Sequence, residues 1–347
     1  MKIALDATYS VGDNLSGVGV YSCELLRGLA SAHPEERFEF CYRPHRYLLS
    51  FRAPLPANAR RALLYEPLFP RARDFFHGMN QRLPEIQFRK TVSTFHDLFV
   101  LTGDYSTPDF RRRFAQQARR AAAESDAIIA VSAFTARQVE ELLGVERGRL
   151  HVVHHGTNRH TFSPPMMREK TRQNIVLNVG AIQRRKNIVR LVEAFERTPP
   201  GWKLVLAGSA GYGAGEIFAR IEASPRRRDI EVVGYVARET LERWYARARV
   251  FAFPSLDEGF GMPVLEAMAA GLPVLAANRA ALPEVCGDAA LLVDPEDVEA
   301  LAAALEQLMV DEGLREQLVA RGLIRAAEFS WEKAAEQTWN VYQGLLI

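Results

Sequence analysis

The sequence predicts an α/β protein built as two doubly wound halves. Short apolar runs alternate with helical patterns along the whole chain, as parallel sheets covered on both faces require. At 347 residues the chain exceeds one ordinary hydrophobic core. The alternation breaks at Ser163-Pro164-Pro165-Met166-Met167-Arg168-Glu169-Lys170, which reads as a linker. Two such halves imply a cleft between them, at the carboxyl ends of both sheets.

In the first half, Ile3–Ala7 reads as a strand, followed by a helix near Val20–Leu29 and a strand at Phe38–Tyr42. Further strands are expected at Asp74–His77, Thr91–His96, Ala127–Val131 and Leu150–Val153. Ser132 suits the N-cap of a helix over Ala133–Leu143, which Gly144 closes. In the second half, strands at Ile175–Gly180, Lys203–Gly208, Ile230–Gly234, Val250–Phe253 and Val274–Ala276 are spaced by helices. Those helices start near Asn187, Ala214, Arg238, Pro263 and Pro295, and the chain ends helically from Trp331.

The most telling segment is Asp257-Glu258-Gly259-Phe260-Gly261-Met262-Pro263, continued to Glu266 and Gly271. Proline is tolerated in a first helical turn, where its missing N–H has no intrahelical partner. Glu258 then lies in a strand-to-helix loop and Glu266 near the end of the first turn. The free N–H groups and positive end of that turn suit a phosphate. Carboxylates on either side suit a ligand rich in hydroxyls. Together they point to a nucleotide sugar. The ordinary alternative is an acid stabilising a helix start by about 0.3–1 kcal/mol, with a second carboxylate on the surface.

Hydrophobic residues at 48% and charged residues at 25% describe a soluble globular chain. No apolar run approaches the roughly 20 residues that span a bilayer, and the early acid Asp6 argues against a signal peptide. Three scattered cysteines (Cys23, Cys41, Cys286) without metal spacing suggest reduced thiols in the cytoplasm. His151, His154 and His155 lack partners at metal spacing, so neither metal nor cofactor is expected. The net charge of +2 is uneven: residues 1–167 hold 22 Lys and Arg against 17 Asp and Glu, and residues 168–347 hold 22 against 25. Ten basic residues lie between Arg43 and Lys90, interleaved with Tyr47, Leu48, Leu49, Phe51, Leu63, Leu64, Tyr65, Leu68 and Phe69; a second cluster is Arg111, Arg112, Arg113, Arg119 and Arg120. They fit either a solvated face of an arginine-rich chain or peripheral contact with an anionic membrane. No nucleic-acid motif accompanies them.

The ordered motifs resemble those of the retaining family-4 glycosyltransferases, in particular polysaccharide-building, mannosyltransferase-like members. Ser16-Gly17-Val18-Gly19-Val20-Tyr21 is similar to the family's glycine-rich first loop. Phe76-His77-Gly78-Met79-Asn80 and Phe95-His96-Asp97-Leu98 resemble two further blocks. Val179-Gly180 through Arg185-Lys186-Asn187 is similar to the strand-to-basic-loop block, and Glu258 to Glu266 to the E-x7-E motif. Leu282-Pro283-Glu284-Val285 through Asp294-Pro295 is similar to the block after it. The resemblance implies a GT-B fold, with two Rossmann-like domains facing each other across a cleft. It implies an acceptor-side domain over residues 1–167, a nucleotide-sugar domain over 168–330, and a helix of about 331–347 packing back on the first domain.

By the same resemblance, Glu266 holds the ribose, Glu258 touches the transferred sugar, and Gly259, Phe260, Gly261 and Met262 lie against the donor. Arg185 and Lys186 would neutralise the departing diphosphate; no Asp-x-Asp triplet offers the metal clamp of other transferases. His96 would bond sugar hydroxyls or the reacting centre, and Asp97 would orient that ring or face the acceptor. His77 and Asn80 are expected on the acceptor side, Gly17 and Gly19 beside phosphates or acceptor, and Tyr235 and Val236 beside the base. Their ordinary alternatives are a core histidine, solvated loops and flexible connections. Gly17, Gly19 and Glu39 also raise a dinucleotide fingerprint, weakened by Ser22 where a third glycine belongs. The expected reaction moves a hexose, GDP-mannose being the first choice of donor, to a hydroxyl of a glycan or lipid-linked acceptor. Rival readings are a nucleotide-sugar epimerase or hydrolase, a glycoside hydrolase, and a silent nucleotide-sugar-binding subunit.

Overall fold

The structure is a computed structural model, describing residues 2–66, 75–157 and 172–346. The linker segment Ser163–Lys170, and Leu68, Phe69 and Asp74, lie outside the described residues. The chain forms two compact units: Met1–Leu101 with Pro108–Gly156 and Phe329–Ile347, and Thr102–Thr107 with Thr157–Glu328.

The first unit runs β1 (Lys2–Asp6), α1 (Gly17–Ala32), β2 (Arg37–Tyr42), α2 (Pro44–Tyr47), β3 (Ala59–Leu63), β4 (Phe75–Gly78) and β5 (Lys90–Phe95). It continues with α3 (Phe99–Thr102), α4 (Pro108–Glu124), β6 (Ala127–Ala130), α5 (Ala133–Leu143) and β7 (Leu150–Val152). Its sheet is seven-stranded in the order β3-β2-β1-β4-β5-β6-β7, and every pairing is parallel. The order reverses between β1 and β4, the position at which open parallel sheets hold ligands. Apolar strands such as Ala127–Ala130 are buried along their length because helices cover both faces. Ser132 Oγ accepts the Thr135 N–H at 3.0 Å, and Gly144 ends α5 with a left-handed φ of 67°.

The second unit runs β8 (Ile175–Val179), α6 (Ile188–Glu196), β9 (Lys203–Ala207), α7 (Ala214–Glu222), β10 (Ile230–Gly234), α8 (Arg238–Arg247), β11 (Val250–Phe253) and α9 (Met262–Ala269). Then follow β12 (Val274–Ala277), α10 (Leu282–Cys286), β13 (Ala290–Val293), α11 (Val298–Val310) and α12 (Glu312–Ala327). The six-stranded parallel sheet has the order β10-β9-β8-β11-β12-β13, so it too reverses once, between β8 and β11. Both sheets are Rossmann-like. The edge strands β3 and β13 went unforeseen, and the last of the expected helices in this unit starts at Val298 rather than Pro295 because Asp297 caps it.

The final helix, α13 (Trp331–Leu346), belongs to the first unit. Trp339 stacks on His33 at 3.9 Å between ring centres. Tyr342 packs edge-on against Phe75 at 4.7 Å. Its hydroxyl meets His77 Nδ1 at 2.5 Å, and His77 Nε2 meets Thr94 Oγ1 at 2.8 Å. Gly156 admits the helix start, since a Cβ there would lie 2.2 Å from the Trp331 backbone nitrogen. We expect Tyr342→Phe to lower the urea stability of this unit by about 1–3 kcal/mol, because it leaves a buried ring nitrogen unpaired. A loss under 0.5 kcal/mol would show that the hydroxyl does not hold α13 in place.

Candidate active site

In the second unit, the loops leaving β8 and β11 meet at the switch point. The loop after β8 makes one tight helical turn, Arg184–Lys186, and Asn187 ends it in the left-handed conformation at φ 58°. Asparagine tolerates that region better than most side chains. Asn187 Nδ2 donates to the carbonyls of Pro254 at 3.1 Å and Pro295 at 2.6 Å. The Leu256 N–H donates to the Arg185 carbonyl at 2.8 Å. These bonds pin the basic turn against the acidic loop.

Three charges result, all nearly buried. Arg185 Nη1 lies 3.0 Å from Glu258 Oε2. Lys186 Nζ is bonded to Glu258 Oε1 and sits 4.6 Å from the centre of the Phe253 ring. Arg185 also donates to the Asp257 carbonyl. Burial alone would raise the Glu258 pKa, but the two cations outweigh it and hold the group down at about 2.

Glu266 has a different setting. It is half-buried on α9, and its Oε2 accepts the Tyr245 hydroxyl at 3.0 Å. Burial raises its pKa, with the Tyr245 bond opposing. Gly259 and Phe260 are buried before the helix start. Gly261 has φ 107°, and a Cβ there would lie 2.6 Å from Leu282 Cδ2. Only glycine passes there, and Met262 then opens α9 with Pro263 in the first turn.

On the β9 side of β8, Gly180, Gly208 and Gly234 line up at the strand ends. The Gly208 N–H donates to the Gly234 carbonyl at 2.8 Å, and a Cβ on Gly208 would fall 1.9 Å from the Gly180 carbonyl oxygen. The result is a shelf without side chains, beside which Tyr235 is 46% exposed and Val236 half-buried. Sequence reasoning missed Asp257, whose buried carboxylate accepts the Thr102 hydroxyl at 3.0 Å, and Tyr245. Asp257 stood inside the conspicuous motif; Tyr245, on a helix 21 residues from Glu266, gave no local signal.

In the first unit, His96 follows β5 and is half-buried. Its Nε2 bonds the Met79 carbonyl at 2.8 Å. A carbonyl only accepts, so Nε2 carries the proton and Nδ1 the lone pair. Burial lowers its pKa to about 4, against a smaller rise from that carbonyl, so the ring is neutral at pH 7. Asp97, beside it, is half-buried.

The structure places the remaining expected residues and corrects His77 and Gly19. His77 is fully buried with both nitrogens engaged, and burial lowers its pKa to about 3; it ties the core to α13 instead of facing an acceptor. Asn80 is buried, and its Oδ1 accepts the Arg82 N–H at 2.9 Å, which shapes the local turn. Gly17 is exposed at the start of α1, where Ser16 caps the Gly19 N–H at 3.3 Å. Gly19 is buried against the protein itself, since a Cβ there would lie 2.9 Å from the Tyr9 carbonyl oxygen. Glu39 is buried and pairs with Arg60, so it is no ribose ligand. Among the described residues no three His, Cys, Asp or Glu side chains gather to share a metal ion.

This architecture is the GT-B class. Sucrose-phosphate synthase from Thermosynechococcus elongatus is similar with a TM-score of 0.80 at 23% identity, covering 100% of this chain and 99% of that one. An Anabaena protein crystallised with UDP and glucose is similar at 0.75 and 15% identity, covering 99% and 100%. Residues 15–160 match the Glycosyltransferase Family 4 model, and residues 162–324 match the model of glycosyl transferases group 1. The chain is 33% identical to O-antigen chain mannosyltransferase B from Escherichia coli, over 99% of this chain and 100% of that protein. It belongs to the family-4 glycosyltransferases and is a glycosyltransferase.

The buried charges yield a pH test. The folded-state pKa of Glu258, about 2, lies below the unfolded value of about 4.3. Its contribution to stability is therefore present above about pH 4.3 and lost as pH falls towards 2. We expect Glu258→Ala to cost about 3–5 kcal/mol at pH 7, since two buried cations then face each other unpaired. The difference from wild type should shrink between pH 4 and 2. A difference unchanged over that range in denaturant titrations would refute the depressed pKa.

Proposed function

We propose that this glycosyltransferase moves a hexose from a nucleoside diphosphate sugar to a hydroxyl of a glycan or lipid-linked acceptor, with retained anomeric configuration. The observation that carries this reading is the Arg185–Lys186–Glu258 cluster at the switch point of the second sheet, beside the opening turn of α9. One net positive charge remains there for a diphosphate. Mannose carried by GDP is our donor, and the name of the Escherichia coli relative supports the sugar. The UDP and glucose bound by the Anabaena neighbour support a nucleotide and sugar in this class of fold.

Glu266, partnered by Tyr245, would take the ribose hydroxyls, and Glu258 a hydroxyl of the hexose. Arg185 and Lys186 would take charge from the leaving diphosphate, while Gly259, Phe260, Gly261 and Met262 offer backbone to it. Tyr235 and Val236 would flank the base on the glycine shelf. We read residues 1–167 as the acceptor side and 168–330 as the donor side, with the helix from about 331 returning to the first. His96 would offer Nδ1 to a sugar hydroxyl, with Asp97 beside it.

A lipid-linked acceptor would be met at a bilayer. No described helix is long and apolar enough to cross one. A peripheral contact finds support in Leu48, 80% exposed, and Phe51, 59% exposed, flanked by His45, Arg46 and Arg52. We expect the chain to sediment with phosphatidylcholine vesicles containing 30% phosphatidylglycerol at low salt, and Leu48→Ser with Phe51→Ser to abolish it. Wild type left in the supernatant would dismiss the contact.

The donor is tested by thermal melting with GDP, UDP and their sugar conjugates. A ligand at about 100 times its Kd adds about 2.7 kcal/mol, and we expect guanine nucleotides to give the larger shift. No shift with either nucleotide would overturn the reading. In steady-state assays, Glu266→Ala should raise the donor KM at least tenfold and Lys186→Ala should lower kcat at least a hundredfold. Wild-type constants in either variant would remove that role.

A further inference from the structure

The first sheet reverses between β1 and β4, and the loops leaving β2, β1 and β4 carry charges that neither the donor nor His96 uses. Arg43 follows β2, Arg46 lies on α2, and Arg82 follows the turn after β4. The side chains of Arg46 and Arg82 reach the loop after β1, and Arg43 joins it through its backbone N–H. The Arg43 N–H donates to Thr8 Oγ1 at 3.1 Å, and its Nη2 donates to the Arg82 carbonyl at 3.3 Å. Arg46 Nη1 donates to the Val11 carbonyl at 3.3 Å, and Arg82 Nη1 donates to the Tyr9 hydroxyl at 3.1 Å. Gly12, at φ 140°, lets Arg46 come that close: a Cβ there would lie 2.6 Å from Nη1.

Each guanidinium has five N–H donors, and each spends one. The Arg43 Nε is buried without a partner. Among the described residues none of the three forms an ion pair with a carboxylate. The acid that feels Arg43 and Arg82 is Asp6, which is buried, its Oδ1 taken by the Thr8 N–H at 3.0 Å. Other arginines of the basic region are committed elsewhere: Arg60 to Glu39, Arg112 to Asp109 and Arg120 to Glu124. Arg61 spends its donors on the Ser50 and Ala53 carbonyls.

A half-buried trio with unspent, forked donors at the carboxyl edge of a parallel sheet suits a tetrahedral, multiply charged oxyanion. We propose that Arg43, Arg46 and Arg82 cradle a phosphate or diphosphate group belonging to the acceptor. The assignment to the acceptor rests on the transferase reading above, in which the donor's diphosphate already has Arg185 and Lys186. The same chemistry could come from the donor, so the test separates the two sources.

The full chain is titrated calorimetrically with inorganic pyrophosphate and with geranyl diphosphate, with and without saturating GDP or UDP. We expect both probes to bind while the nucleotide is present, and Arg43→Gln and Arg82→Gln each to weaken them at least tenfold. Nucleotide affinity should stay at its wild-type value in these variants. Should either substitution unfold the chain, Arg46→Gln, whose guanidinium holds a single carbonyl, serves with a melting control. Loss of pyrophosphate binding on adding nucleotide, or exclusion of geranyl diphosphate, would assign the cradle to the donor and overturn the proposal. Unchanged affinity in the variants would overturn it as well. Failure of nucleotide to bind at all would sink the donor reading and leave the anion titration interpretable by itself.

Discussion

Three charges buried side by side govern the second unit. Removing a single ion from water costs several kcal/mol, and mutual attraction offsets that only when geometry and hydrogen bonding are good. Glu258 meets Arg185 through one oxygen and Lys186 through the other. The framing residues make that geometry affordable. Asn187 turns the basic loop back on itself and clamps it to Pro254 and Pro295, and Gly261 lets the acidic loop pass Leu282. The cluster retains one net positive charge in a weakly screened place, where an anion gains most.

The first unit has the same reversal of strand order and fills it differently. Its switch point gathers Asp6, Arg43 and Arg82 on one side. On the other, the Met79 carbonyl fixes the proton of His96. Beneath them Tyr342, His77, Thr94 and Tyr21 form a buried polar chain that binds the last helix to the sheet. Both units thus expose chemistry at strand ends and spend buried polar groups on holding elements together. Which fate a residue meets depends on one or two positions along a strand.

That dependence explains what the sequence could and could not tell. Elements with local causes were legible: Ser132 and Gly144 bracket α5 as their side chains dictate, and the Asp257–Gly271 stretch announced a loop, a proline-opened helix and a glycine stop. Outcomes decided by distant partners were not. His77 ends an apolar strand much as His96 does, and only Tyr342, 265 residues away, shows that it is packed in the core. Gly19 looked like a ligand-facing glycine, but the Tyr9 carbonyl occupies the space a Cβ would need. The strand Ala59–Leu63 escaped notice because two arginines at its centre mask the alternation. A basic stretch read as one surface separates into arginines bound to acids, arginines bound to carbonyls, and the trio facing the β1 loop.

The same electrostatics bear on how the sugar is transferred. A nucleophilic carboxylate needs a free lone pair, and a general base works best with a pKa near the operating pH. Glu258 suits neither role well: each of its oxygens is bonded to a cation, which draws off its electron density, and those cations hold its pKa at about 2. Glu266 is raised, yet the Tyr245 hydroxyl occupies one of its oxygens. His96 stays neutral down to about pH 4, so it offers a lone pair without being a strong proton acceptor. The two acids therefore fit a glycoside hydrolase poorly, since that chemistry asks one carboxyl to arrive protonated and the other to attack. In the reading we propose, the acceptor proton would instead pass to the departing phosphate oxygen, and Arg185 and Lys186 would share its charge.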